Sequence, residues 1–186
     1  MGSSMAKLSK SIVLAGMLFA ALLAIGFIGI KSSDYKDVSS LKNLSYKAYV
    51  TVKGTPVSLS GNYVLKVGDT VFSLKGFGSY AIAERIEGLP LGNDDSYAVF
   101  ILEGKDGHTR VVALYSASKF KSLYGGSPSV SSKVVVEGEY EPGLRAEIVD
   151  PASGSRIGGP YSVLIVSKIL EGCHESYQAP AGRLEG

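Results

Sequence analysis

An unbroken apolar run near the start of the chain gives way, after residue 46, to short stretches in which apolar and polar positions alternate. Residues 11–30 (SIVLAGMLFAALLAIGFIGI) carry no charge, and as a helix they span roughly 30 Å, about one hydrocarbon core. The run exceeds the apolar region of about 7–15 residues in a secretory signal and lacks an A-x-A-like site. It predicts an uncleaved single-pass transmembrane anchor. Residues 1–10, with Lys7 and Lys10, then lie on the cytoplasmic side, and the remaining chain on the extracytoplasmic (periplasmic) side of a cell membrane. Residues 31–45 are polar and serine-rich without a sustained period, and predict a tether. Residues 1–4 and 184–186 are candidate additions to the native chain.

From Tyr46 the period becomes two. Ala48, Val50 and Val52 alternate with Tyr49, Thr51 and Lys53; Gly54 and Pro56 interrupt, and the pattern resumes at Val57-Ser-Leu59. Residues 62–67 and 70–75 form an expected hairpin through Gly68-Asp69. Residues 76–96 hold a candidate strand, Tyr80-Ala-Ile-Ala, then a loop rich in Gly, Pro, Asn and Asp. Residues 97–103 and 109–115 are strong strands joined by Gly104-Lys-Asp-Gly107. Residues 118–123 are the one helical candidate. Residues 133–140 and 144–149 read as a hairpin through Glu141-Pro-Gly143, and 163–170 as a last strand stopped by Gly172. The expected fold is all-β. Over residues 46–171 it is a small closed β-barrel of the OB type, with one short helix between its third and fourth strands. A β-sandwich shares the same period and stays as the alternative.

Composition narrows the chemistry. Glycine is plentiful at 23, tyrosine stands at 11 and tryptophan is absent, a mixture suited to short strands and tight turns. A net charge of +2 with interspersed signs implies no polyelectrolyte partner, so no nucleic acid is expected. A single cysteine excludes an intrachain disulfide, a CxxC redox pair and a multi-thiolate zinc site.

That cysteine is the focus of the candidate chemistry. Residues 172–186 are expected to be a flexible tail carrying Cys173, His174 and Tyr177. Gly172 before the thiol and polar residues after it predict exposure, and unpaired exposed thiols outside the cytoplasm oxidise and cross-link. The plain readings are a free thiol without a role and a tail tyrosine packed on the barrel. The spacing gives a sharper one. If the Cys173 sulfur bonds to the edge of a planar macrocycle, four residues of chain reach up to about 13 Å. That suffices for Tyr177 to swing over the ring and bind a central iron, and phenolate is an axial haem ligand.

Cys173-His-Glu-Ser-Tyr177, after a strand ending Ser167-Lys168-Ile169-Leu170, resembles the C-terminal motif of the cytochrome c maturation protein E family, the haem chaperones. Most of that family has a histidine with a tyrosine four residues on; this chain is similar to the minority C-x-x-x-Y form. Lys133-Val-Val-Val-Glu-Gly-Glu139 resembles the family's V-V-V-E-G strand. The resemblance implies a short cytoplasmic start, one span, a six-stranded OB barrel and a flexible tail. It implies that Cys173 makes a transient covalent bond to a haem vinyl group and that Tyr177 ligates the iron. It further implies transfer to apocytochrome c, with integral-membrane haem-delivery and haem-ligase components as partners, and no catalytic residue. The family's Y-x-G-x-x-P-D-x-F segment is not recognisable in residues 112–126, and residues 76–96 read as an insertion. Tyr115, Phe120 and Tyr124 are therefore candidates for the haem-contacting platform, with ordinary core packing as the plainer reading of each.

Two other functions fit parts of the pattern. Leu170-Glu-Gly-Cys173-His174 looks like C-x-x-C-H with its first cysteine replaced, which makes His174 the possible ligand of a single-thioether haem protein. A sortase-like transpeptidase would use Cys173, His108 and Arg183, held rigidly within hydrogen-bond reach. Against it, only a Gly- and Pro-bearing segment surrounds Arg183, and His108 sits in a hairpin turn where a solvated role is the plainer one.

Overall fold

The computed structural model describes residues 35–176. The expected span at 11–30, Tyr177 and Arg183 lie outside the described residues. Among the described residues no helix is long and apolar enough to cross a membrane.

The described chain is mostly strand with one short α-helix, so the all-β expectation is met. In order it comprises β1 (Lys36–Asp37), a 3-10 segment (Val38–Asn43), β2 (Ala48–Pro56), β3 (Leu59–Val67), β4 (Thr70–Gly78) and β5 (Ala81–Glu87). There follow β6 (Ser96–Glu103), β7 (Arg110–Ser116), α1 (Ala117–Tyr124), β8 (Ser129–Val149) and β9 (Arg156–His174). The ladder runs β2–β6–β5–β4–β3–β8, and β8 pairs again with β2. A second branch leaves β8 through β9, which pairs parallel with β7, and β7 pairs antiparallel with β6.

The β6–β7 hairpin is the centre of this arrangement because it is buried on both faces. Its sequences, Tyr97-Ala-Val-Phe-Ile-Leu102 and Val111-Val-Ala-Leu-Tyr115, are continuous apolar runs, the mark of a strand with no solvent face. Successive side chains point to opposite sides of a strand. Ala98, Phe100 and Leu102 accordingly pack with Val111, Ala113, Tyr115, Val136 and Leu164 in one core. Tyr97, Val99 and Ile101 pack with Val112, Leu114, Phe72, Leu74 and Ile148 in the other. One hairpin is thus the common wall of two hydrophobic cores.

Two expectations are corrected. The segment read as a tether contributes to the first core: Val38 and Leu41 are buried in it. They lie three residues apart on the 3-10 segment, a spacing that a period-two scan does not detect. Asp37 starts that segment by accepting bonds from the Ser39 and Lys105 amides, both at 2.9 Å. The hairpin expected through Glu141-Pro-Gly143 does not form either. β8 runs on for 21 residues, with a register irregularity between Glu141 and Arg145. Its first half pairs with β2 and its second with β3. A type II turn would need a positive φ at Gly143, and Gly143 does not have one. Proline and glycine here mark a bend between two partners, which residue types alone do not separate from a reversal.

β8 and β9 approach closely at Gly138, where an added Cβ would lie 2.1 Å from the Ile165 carbonyl oxygen. The obstacle is backbone, so it cannot rotate away. Gly138→Ala should lower stability by about 1–3 kcal/mol through forced separation of the strands. Phe100→Ala, which opens a cavity in the shared wall, should cost about 3–5 kcal/mol. Urea unfolding followed by circular dichroism measures both; an unchanged midpoint in either variant would contradict the packing described.

Candidate ligand site beside Cys173

β9 does not stop at Leu170. It continues through His174, with Gly172 at φ +92°, a value glycine alone adopts freely. At Gly172 an added Cβ would meet the Lys133 carbonyl oxygen at 2.2 Å, so the glycine lets the end of β9 lie against β8. Glu171 pairs with Val135, Cys173 with Val130 and His174 with Ser129, and the ladder shifts register between Val130 and Val135. Residues 172–174, expected in the tail, therefore belong to the sheet.

The expected exposure of the thiol is overturned. Cys173 is only 8% exposed and is part of the core that contains Phe100, Tyr115, Phe120 and Val134. Desolvation disfavours the thiolate and pushes the thiol up to about 12. Tyr124 lies beside it: burial raises its phenol first, and the nearby Cys173 sulfur adds to the rise. The sequence concealed this because Gly172 reads equally as a stop and as a tight approach, and the polar residues 174–176 suggested solvent. His174 follows on the opposite side of the strand and is exposed, so the two side chains do not face one ligand together.

An aromatic wall leads from the surface to this thiol. Phe77 and Tyr80 flank the β4–β5 turn, where the Phe77 amide donates to the Tyr80 carbonyl at 2.8 Å and Gly78 takes φ +92°. Their rings stack, with centroids 5.4 Å apart and planes at 18°. Tyr80 contacts Phe120 of α1 at 5.4 Å, and Phe120 contacts Tyr124 at 5.3 Å and Phe100 at 5.7 Å. Each such pair adds about 0.5–1.5 kcal/mol beyond its buried area. The Lys75 ammonium lies 5.5 Å from the centre of the Phe77 ring.

Phe77, Tyr80, Ile82, Phe120 and Pro128 border a cleft of about 460 Å³, with Glu84 and Lys121 as its charged lining groups. That volume is within the range of small-molecule sites, about 300–1,000 Å³. The helix supplying Phe120 ends at Gly125 (φ +75°), whose amide donates to the Lys121 carbonyl at 3.0 Å. Gly125 also borders the cleft, and a Cβ there would lie 3.8 Å from the Glu175 carboxylate. Glu175, two residues beyond Cys173, therefore stands beside the cleft.

Of the platform candidates, Tyr115 and Phe120 are buried core residues and Tyr124 is half-buried against the same core. Phe77 and Tyr80 were missed because residues 76–96 read as an insertion; the signal available was an aromatic on each side of Gly78-Ser79. His108 is exposed in the β6–β7 turn, as expected of a solvated loop residue. Val111, three residues on, pairs with Ser162, whereas Cys173 lies far along β9 near its other end, so His108 and Cys173 are not brought together. Among the described residues no three of His, Cys, Asp and Glu cluster to hold a metal ion.

Burial has a measurable consequence for the thiol. Alkylation of Cys173 by iodoacetamide at pH 8 should be at least about 100-fold slower in the folded protein than in denaturant, since both access and thiolate are suppressed. Stability should respond to pH with a defined sign. The folded thiol titrates near 12 and the unfolded one near about 8.5, so the unfolded chain releases its proton first. The contribution is whole below about pH 8.5 and declines as pH rises toward 12. Between pH 8 and 10 the protein should lose on the order of 1–2 kcal/mol more than Cys173→Ala. Parallel losses in the two proteins would show that the thiol is not desolvated.

Comparison of the chain with family models, with curated proteins and with solved structures finds no match.

Proposed function

We propose that this protein is a membrane-anchored haem carrier in which the aromatic cleft receives the porphyrin and Cys173 attaches it. The observation that carries the reading is the aromatic wall Phe77–Tyr80–Phe120–Tyr124, which joins an open apolar cleft to the only thiol of the chain. A flat apolar ring suits such a wall, since offset stacking on aromatic faces is favourable. Lys121 at the cleft is a partner for a propionate carboxylate. The ladder that leaves β2 through β6 and returns through β8 supports a closed barrel of the OB type as the scaffold.

Haem is cargo in this reading, and the protein is not an enzyme in the turnover sense. The last rungs, Ser129 with His174 and Val130 with Cys173, are separated from the main ladder by the register shift. Their release frees the thiol from the core it shares with Phe120, one of the residues that line the cleft. The sulfur then bonds to a vinyl carbon and the thiol proton goes to the other vinyl carbon; nothing leaves and no oxidant is consumed. Tyr177, four residues beyond Cys173, supplies an oxygen ligand to the iron. A single bond at a strand end, with the ring in an open cleft, suits a carrier that hands its haem to apocytochrome c outside the membrane. Residues 11–30 provide the anchor and integral-membrane haem-delivery and haem-ligase components the partners, as the resemblance to cytochrome c maturation protein E implies.

Haem staining on denaturing gels, after co-expression of the full chain with a haem-delivery pathway, tests this. Cys173→Ser should abolish denaturation-resistant haem, because a hydroxyl does not add to a vinyl group. Tyr177→Phe should keep covalent haem and change its ferric spectrum. Tyr80→Ala should lower the loaded fraction several-fold by opening the aromatic wall, with Cys173 intact. Covalent haem retained by Cys173→Ser would overturn the proposal.

A further inference from the structure

A second cleft, of about 670 Å³, opens at the other end of the β6–β7 hairpin, beside its turn. Its walls come from the end of the 3-10 segment, the β6–β7 turn, the bend in β8 and the start of β9. Lys42, His108, Arg110 and Arg145 line it, and no carboxylate is among its lining residues. Two of the cations are already partnered from outside: Arg110 by Glu103 at 2.5 Å and, loosely, Lys42 by Asp106 at 3.6 Å. Arg145 is not. Among the described residues its guanidinium bonds only the Ser162 hydroxyl, at 3.1 Å from Nη1, which leaves most of its five donors unused.

The turn that carries His108 is fixed in advance. The Asp106 carboxylate accepts from the His108 amide at 3.1 Å, the Thr109 amide at 2.9 Å and the Thr109 hydroxyl at 2.7 Å. These bonds hold it well below the usual carboxylate range, so it stays charged and keeps the turn folded. A turn that is already folded lowers the ordering cost of binding. Tyr161 and Leu44 add apolar surface beside the cations.

We propose that this cleft binds a small phosphate monoester, with the phosphate on Arg145 and His108 and the organic part against Tyr161 and Leu44. A monoester carries about −1.5 to −2 charges at pH 7. That matches one unpaired guanidinium, the imidazole of His108 as a hydrogen-bond donor, and a loosely held Lys42. The planar fork of arginine suits phosphate oxygens two at a time. This site is distinct from the aromatic cleft and does not depend on the haem reading.

Isothermal titration calorimetry of the full chain at fixed ionic strength tests the proposal, with glycerol 3-phosphate and its short-chain, water-soluble diacyl form as probes. Saturable one-to-one binding of either is expected, and the tighter of the two assigns the source as a free metabolite or a lipid headgroup. Arg145→Gln should weaken binding about tenfold or more, the loss of a charged hydrogen-bond donor set. His108→Gln should weaken it less, and Lys119→Gln, on the exposed side of α1, should leave it unchanged. Arg145 is exposed, so circular dichroism of the variant should match that of the parent. Absence of saturable heat with both probes would overturn the proposal, and so would equal affinity in Arg145→Gln.

Discussion

Burial of the β6–β7 hairpin on both faces is the constraint on which the rest of the molecule depends. A strand pair without a solvent face must be covered twice. Here one covering is made by β2, the first half of β8, β9 and α1, and the other by β3, β4, β5 and the second half of β8. β8 serves both, which is why it runs for 21 residues and bends where Pro142 and Gly143 stand. The two ends of the hairpin are where the coverings part. The aromatic cleft lies at its open end, where β7 passes into α1, and the basic cleft at its turn.

The chemistry of the lone thiol follows from that packing. In water a cysteine near the end of a chain would be partly ionised at mildly alkaline pH. Placed in the first core beside Tyr124 and Phe120, Cys173 keeps its proton, which protects it from oxidation. The same placement sets a condition on any carrier role: the sulfur reacts only when the terminal rungs of β9 open. A short ladder end beyond a register shift is the weakest part of a sheet, since few contacts hold it. With these rungs closed the thiol is inert.

Much of the strand order was legible because β3–β4 and β6–β7 carry their turns in sequence. Gly68-Asp69 closes the first pair, and Gly104 to Gly107 the second, each between runs of matching period. The helix was legible as the candidate at residues 118–123, within the observed Ala117–Tyr124. Three features were not. The bend at residues 141–143 uses the residues of a reversal. Val38 and Leu41 pack from a 3-10 segment whose spacing belongs to neither standard period. Cys173 is buried by the strand opposite it, and pairing of Val130 with Cys173 is a long-range fact that no local pattern contains. Of the candidate site, the residues Cys173, Phe120 and Tyr124 stood out in the sequence, but their packing in one core did not. Phe77 and Tyr80 were not, because their meaning comes from the helix that packs on them.

The central claim is that haem becomes attached at Cys173 and nowhere else in this chain. Tandem mass spectrometry of the tryptic peptide that follows Lys168, from the full chain purified after haem loading, tests it most directly. The account predicts fragment ions that carry one intact haem on Cys173, with His174 and Tyr177 unmodified. Haem located on His174 or Tyr177, or a peptide without haem from a preparation that stains for covalent haem, would contradict it.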